Sequence, residues 1–140
     1  MLYCSIKQGR TDFMINLFKR KCKNNVKVDL ILKQNSFSLE NQDGKNNEIE
    51  SIDIEYGLQD LFNHKNQYII LTSPDIQNNI RFIQACMIKN SVEVQILYQD
   101  TTPQLLYKLC SQEECWRIFL DFYDNVFIPN LKEYKPVQIK

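Results

Sequence analysis

Ile80-Arg81-Phe82-Ile83-Gln84-Ala85-Cys86-Met87-Ile88, Lys89-Asn90-Ser91 and Val92-Glu93-Val94-Gln95-Ile96-Leu97-Tyr98 form the stretch on which the fold turns. Two β-rich runs joined by a short polar turn predict an antiparallel hairpin. Apolar residues at both parities of the first run predict an interior strand covered on both faces. An interior strand of this kind requires further strands beside it and layers above and below it.

The flanking sequence supplies them. Downstream, Ser111-Gln112-Glu113-Glu114 has the form of a capping box ahead of Cys115, Trp116, Ile118, Phe119, Leu120, Phe122 and Tyr123, so residues 111–124 are predicted to be an amphipathic helix with its Trp116 or Phe119 side buried. Residues 125–140, with Pro129 and Pro136, are predicted to leave that helix as an extended tail. Upstream, Tyr68-Ile69-Ile70-Leu71 reads as a short strand closed by the turn sequence Thr72-Ser73-Pro74-Asp75. In residues 49–63, Ile52, Ile54 and Tyr56 alternate like a strand, whereas Ile54, Leu58, Leu61 and Phe62 follow a helix. The longer helical set predicts a helix from Glu50 or Ser51 to Asn63 that tolerates Gly57.

Residues 40–47, centred on Asp43-Gly44, have turn chemistry and no apolar side chain, which predicts an exposed loop. Residues 26–33 and then Phe37 and Leu39 alternate as two strands about a short turn. Phe13, Met14, Leu17, Phe18 and Cys22 have helical spacing over residues 12–23, with Thr11 as cap and Lys19-Arg20-Lys21 at the negative end of the helix dipole. The fold class expected is α+β: a mainly antiparallel sheet with an N-terminal, a middle and a C-terminal helix packed on it, as a single domain over residues 1–140.

The 140 residues have no net charge, but two opposite patches cancel to give it. Residues 1–35 carry eight Lys and Arg against two Asp, a net +6. Residues 36–64 carry seven carboxylates against Lys45, a net −6. Charge segregated in this way steers association with charged partners. Catalytic equipment is sparse. His64 ends a helix in Asn63-His64-Lys65 with no nucleophile and orienting group at recognisable spacing, which reads as a solvated residue and predicts that His64→Ala leaves function intact. Asp53/Glu55 and Glu113/Glu114 read as solvated faces or helix N-terminal charge. Gly9, Gly44 and Gly57 do not form a phosphate loop, and the five cysteines lack metal-ligand spacing, so neither catalytic residues, a metal nor a cofactor is expected.

An odd cysteine count without Cys-x-x-Cys spacing fits a reducing cytoplasm, with Cys86, Cys110 and Cys115 as buried thiols. No apolar run nears the roughly 18 residues needed to cross a bilayer. The sequence pI near 6.6 and the acidic middle argue against direct nucleic-acid binding, for which a pI above about 9 is usual. These features point to binding rather than catalysis.

The strand, the hairpin Ile80-Arg81-Phe82-Ile83-Gln84-Ala85 leading to Val92-Glu93-Val94-Gln95, and the capped helix Glu113-Glu114-Cys115-Trp116-Arg117-Ile118-Phe119-Leu120-Asp121-Phe122-Tyr123 resemble the small immunity proteins of bacterial polymorphic toxin systems, including those of contact-dependent growth inhibition. The resemblance covers residues 50–125 and rests on pattern and residue type. It implies a cytoplasmic binder that neutralises a cognate toxin domain, often a nuclease, by covering its active site or an adjacent surface. It transfers no functional residue.

The charge pattern agrees in kind, because an acidic inhibitor surface can stand in for the phosphates that a basic nuclease cleft attracts. Candidate partner-binding residues are therefore Glu48, Glu50, Asp53, Glu55 and Asp60, with an ordinary charged surface as the competing explanation of each. Two other classes stay open. One is an adaptor or regulatory domain with a persistent cellular partner held at a hairpin edge; the other is a small enzyme of unrecognised type, which a deep pocket around His64 would favour.

Overall fold

The structure, a computed structural model, describes residues 36–138. In chain order these form β1 (Ser38–Asn41), β2 (Gly44–Asn46), α1 (Ser51–Phe62), β3 (Ile69–Gln77), β4 (Ile80–Ile88), β5 (Ser91–Gln99), β6 (Pro103–Cys110), α2 (Gln112–Tyr123), a single 3-10 turn (Leu131–Glu133) and β7 (Lys135–Pro136). The strands make one seven-stranded sheet in the order β2-β1-β3-β4-β5-β6-β7, antiparallel throughout. The class is α+β with two helices. The helix expected over residues 12–23 and the strand expected over residues 26–33 lie outside the described residues. Among the described residues no helix is long and apolar enough to cross a membrane.

The β4–β5 hairpin sits at the centre, and all nine residues of β4 are buried. Its register pairs Ile83 with Ile96, Gln84 with Gln95 and Ala85 with Val94. Because side chains alternate along a strand, Ile83, Ala85, Met87, Val92, Val94 and Ile96 share one face. They pack with Ile54, Leu58 and Leu61 of α1 and with Cys115, Ile118, Phe119 and Phe122 of α2. Phe82, Cys86, Ile88, Leu97 and Leu105 form a second cluster on the opposite face. With β3 on one side and β6 on the other, both edges of this hairpin are occupied.

Several local expectations change in physically informative ways. Thr72-Ser73-Pro74-Asp75 does not end β3. The strand continues to Gln77 through an irregularity in which the register jumps between Thr72 and Gln77, and Pro74, which has no N–H to give a ladder, sits within it. The reversal comes at Asn78-Asn79, both with positive φ (48° and 68°), the backbone of a tight hairpin turn. Residues 40–47 are a hairpin rather than an open loop: β1 and β2 pair across Gln42-Asp43, with Gly44 at φ 155°. β6 has no counterpart among the elements expected from the pattern. The tail is anchored, since Phe127 and Tyr134 are buried and β7 pairs with β6.

α1 begins one residue after Glu50, and the Glu50 N–H donates to Asp53 Oδ2 at 2.8 Å. At α2 the Glu114 N–H donates to Ser111 Oγ at 3.1 Å, as the capping signature predicts. Phe119 is fully buried, whereas Trp116 is half-buried.

Candidate protein-binding site

A groove of about 400 Å³ runs between the β1–β2 hairpin and α1. Its lining includes Glu40 and Asp43 from the hairpin, Asp53 and Asp60 from α1, and Lys45 as the facing cation. Asp53, Gly57 and Asp60 lie on one stripe of the helix because steps of three and four residues return to the same face. Gly57 lets the helix come close to β1 and β3: a Cβ there would lie 2.7 Å from Ile69 Cδ1 and 3.4 Å from Leu39 Cδ2. What reads in sequence as a tolerated weakness is a close-approach position.

Amide side chains fix the groove's far end. Gln42 Nε2 donates to Asn66 Oδ1 at 3.2 Å, the Gln67 N–H donates to Gln42 Oε1 at 3.0 Å, and Asn66 Nδ2 donates to the Gly57 carbonyl at 3.3 Å. The hairpin turn is thereby tied to the segment that follows α1, which keeps the hairpin's carboxylates beside those of the helix.

Of the five candidates from sequence, the structure brings Asp53 and Asp60 into this groove and adds Glu40 and Asp43. Glu48 is exposed in the approach to α1, Glu50 is the helix cap and Glu55 is half-buried; none of the three lines the groove. Asp53 has a second task, since its carboxylate accepts from the Glu50 N–H. Beside the carboxylates, Ile52 and Tyr56 stand exposed one helical turn apart on α1, at 43% and 61%. An aromatic with a neighbouring aliphatic, rimmed by charge, is the composition of a protein-contact surface.

His64 has a backbone role. It adopts φ 62° just past α1; its N–H donates to the Leu61 carbonyl at 3.0 Å, and the Lys65 N–H donates to the Asp60 carbonyl at 2.8 Å. These two bonds are the Schellman closure of a helix end, a position that favours glycine. His64→Gly is therefore expected to preserve stability or raise it by up to about 1 kcal/mol in a urea melt. A loss larger than that would give the imidazole a role that the backbone does not explain.

A second polar cluster, not visible in the sequence, lies at the other end of the sheet. Lys108 on β6 pairs with Glu114 at the start of α2 and with Glu133 at 2.7 Å, and its Nζ lies 5.5 Å from the centre of the Tyr134 ring. It joins β6, α2 and the tail. Burial alone would lower the Lys108 pKa, but hydrogen bonds to the two carboxylates outweigh it and raise the value. Burial raises the Tyr134 phenol and pushes the Cys110 thiol up to about 12.

All three shifts have the same sign for stability. Thiol and phenol are held neutral, and the lysine charged, more firmly in the folded chain than in the unfolded one. Their contribution is present below the ordinary values, 9.0 for the thiol, and is lost as pH rises towards about 12. Urea midpoints should therefore decline above about pH 9, and a midpoint flat to pH 11 would contradict this account.

Among the described residues no group of three or more His, Cys, Asp or Glu could hold a metal ion, and Cys86, Cys110 and Cys115 are buried free thiols. No family model matches the chain, and neither a curated protein nor a solved structure does.

Proposed function

We propose that this chain is an immunity-type inhibitor that acts by binding, holding a basic surface of a cognate toxin domain, of the nuclease kind, against the groove between the β1–β2 hairpin and α1. The observation that carries this reading is the convergence of Glu40, Asp43, Asp53 and Asp60 on one groove. A nuclease cleft is basic because it must hold phosphates, and a groove lined by four carboxylates presents the phosphates' sign of charge to it. Exposed Tyr56 and Ile52 beside the groove supply the apolar anchors that charge alone lacks. The resemblance of residues 50–125 to immunity proteins points the same way, and a reducing cytoplasm suits the three buried thiols.

The test is co-expression with the domain encoded by the reading frame immediately upstream. Cells making that domain should survive only when this chain is present, and the two should co-purify. Death of the cells despite abundant folded chain, with no co-purification, would remove the reading.

A further inference from the structure

The sheet ends in two unlike ways. At one edge β2 lies beside the acidic groove; at the other, β6 carries only the two-residue β7. β7 covers a short part of that edge: Leu106 stands opposite Pro136, Tyr107 opposite Lys135, and the Val137 N–H donates to the Leu105 carbonyl at 2.8 Å. Backbone groups alternate along a strand, so Leu105, Tyr107 and Leu109 turn their N–H and C=O to this outer edge. Glu133, which the register would set opposite Leu109, belongs instead to the 3-10 turn. Among the described residues no strand lies beside Leu109 on that side, and its side chain is 48% exposed. β7 is itself a poor edge for a further strand, because it is two residues long and Pro136, at the position whose backbone faces away from β6, has no N–H to offer.

We propose that the segment after α2 is a latched cover over the β6 edge, and that with the latch undone two copies of this chain pair edge to edge through β6. The latch is Lys108, which holds Glu114 of α2 and Glu133 of the tail and has the Tyr134 ring 5.5 Å away. The tail's other anchor is the buried Phe127, whose carbonyl accepts from Asn78 Nδ2 at 2.8 Å. Between the anchors Ile128 is 76% exposed, so the part of the tail over the edge is held by the latch, the buried Tyr134 ring and the few bonds of β7. The kind of partner follows from β6 itself. Antiparallel pairing about a twofold axis at Tyr107 sets Leu105 opposite the other copy's Leu109, Tyr107 opposite Tyr107 and Leu106 opposite Lys108, with no like charges directly opposite. Leu105, Tyr107 and Leu109 share one face, so the exposed Leu109 gains an apolar neighbour while the outward backbone groups gain partners. A strand that matches itself in this way fits a second copy. The acidic groove, at the opposite edge of each sheet, stays free in such a pair.

The test uses the full chain carrying Glu133→Lys, which sets a second cation against Lys108 at a side chain that is 54% exposed and so spares the core. Amide exchange read by mass spectrometry follows the latch, and light scattering from low to high micromolar concentration follows the mass. Peptides covering residues 131–137 should exchange at least about tenfold faster than in the parent while β4 and β5 are unchanged. The variant should pass from monomer to dimer as concentration rises, whereas the parent stays a monomer. Adding Leu109→Lys, a charge at the exposed end of the pairing face, should return the open variant to a monomer. Should the reversed charge unfold the chain, Glu133→Gln, which only removes the ion pair, carries the same comparison. A tail as protected as in the parent overturns the latch. An open tail with a monomer's mass throughout, or a dimer that Leu109→Lys leaves intact, overturns the pairing, and a parent already dimeric with its tail protected overturns both.

Discussion

Phe119→Ala should lower the unfolding free energy by about 3–5 kcal/mol, the range for truncating a fully buried aromatic whose site cannot collapse. Phe119 is 0% exposed in the layer where α2 meets the sheet, within the cluster that also holds Leu58 and Leu61 of α1. Its neighbour Phe122 makes edge-on contacts with Phe37 at 5.9 Å and with Phe127 at 6.4 Å, so the surrounding rings are already positioned by one another and have little freedom to fill a void. A domain of this size is stable by about 5–15 kcal/mol, and this one change therefore removes a large part of it. The measurement is a urea melt with the slope held in common. A loss below about 1 kcal/mol would mean that α2 is not seated on the sheet as described.

Reversing Asp43 and Asp60 to Lys together should slow association with a basic partner by about tenfold or more at low salt and should flatten the salt dependence of the on-rate. These two positions are chosen because both line the groove while Asp53 also receives the Glu50 N–H, and reversal at Asp53 would confuse a lost helix cap with a lost charge. Asp43 is exposed and Asp60 half-buried, and among the described residues neither side chain carries an ion pair, so melts of the double variant should stay within about 1 kcal/mol of the parent. At 0.5 M salt, where screening acts within a few ångströms, parent and variant should converge. Equal on-rates at both salts would move the interface away from the groove.

The parts of the fold legible in sequence are those decided by period. β5 begins with clean alternation and β4 is apolar at both parities, and their hairpin stands where the pattern puts it, with β4 buried on both faces. α1 and α2 follow their apolar stripes and polar starts to within a residue. The parts that were not legible depend on partners distant in the chain. Pro74 reads as an end to β3, but the sheet absorbs it in a bulge because Gln77 resumes pairing opposite Ile80. β2, Gly44–Asn46, has no apolar residue and is a strand only because β1 lies beside it. β6 combines Leu105 and Leu106 with Lys108, a charge that is explained only once Glu114 and Glu133 are brought to it.

The site divides in the same way. Asp53 and Asp60 share a helical stripe, which spacing alone can show. That Glu40 and Asp43 join them requires the hairpin to fold back beside α1, and that Glu50 is occupied as a cap requires the helix start to be known to the residue.

The central claim is inhibition by direct binding, and its most direct measurement is a titration of the purified upstream-encoded toxin domain with this chain, following cleavage of the domain's nucleic-acid substrate. Activity should fall linearly to zero at one chain per toxin domain, and the Asp43→Lys, Asp60→Lys double variant should need a clear excess to reach the same end point. Full activity retained in the presence of a molar excess of folded chain would contradict the account.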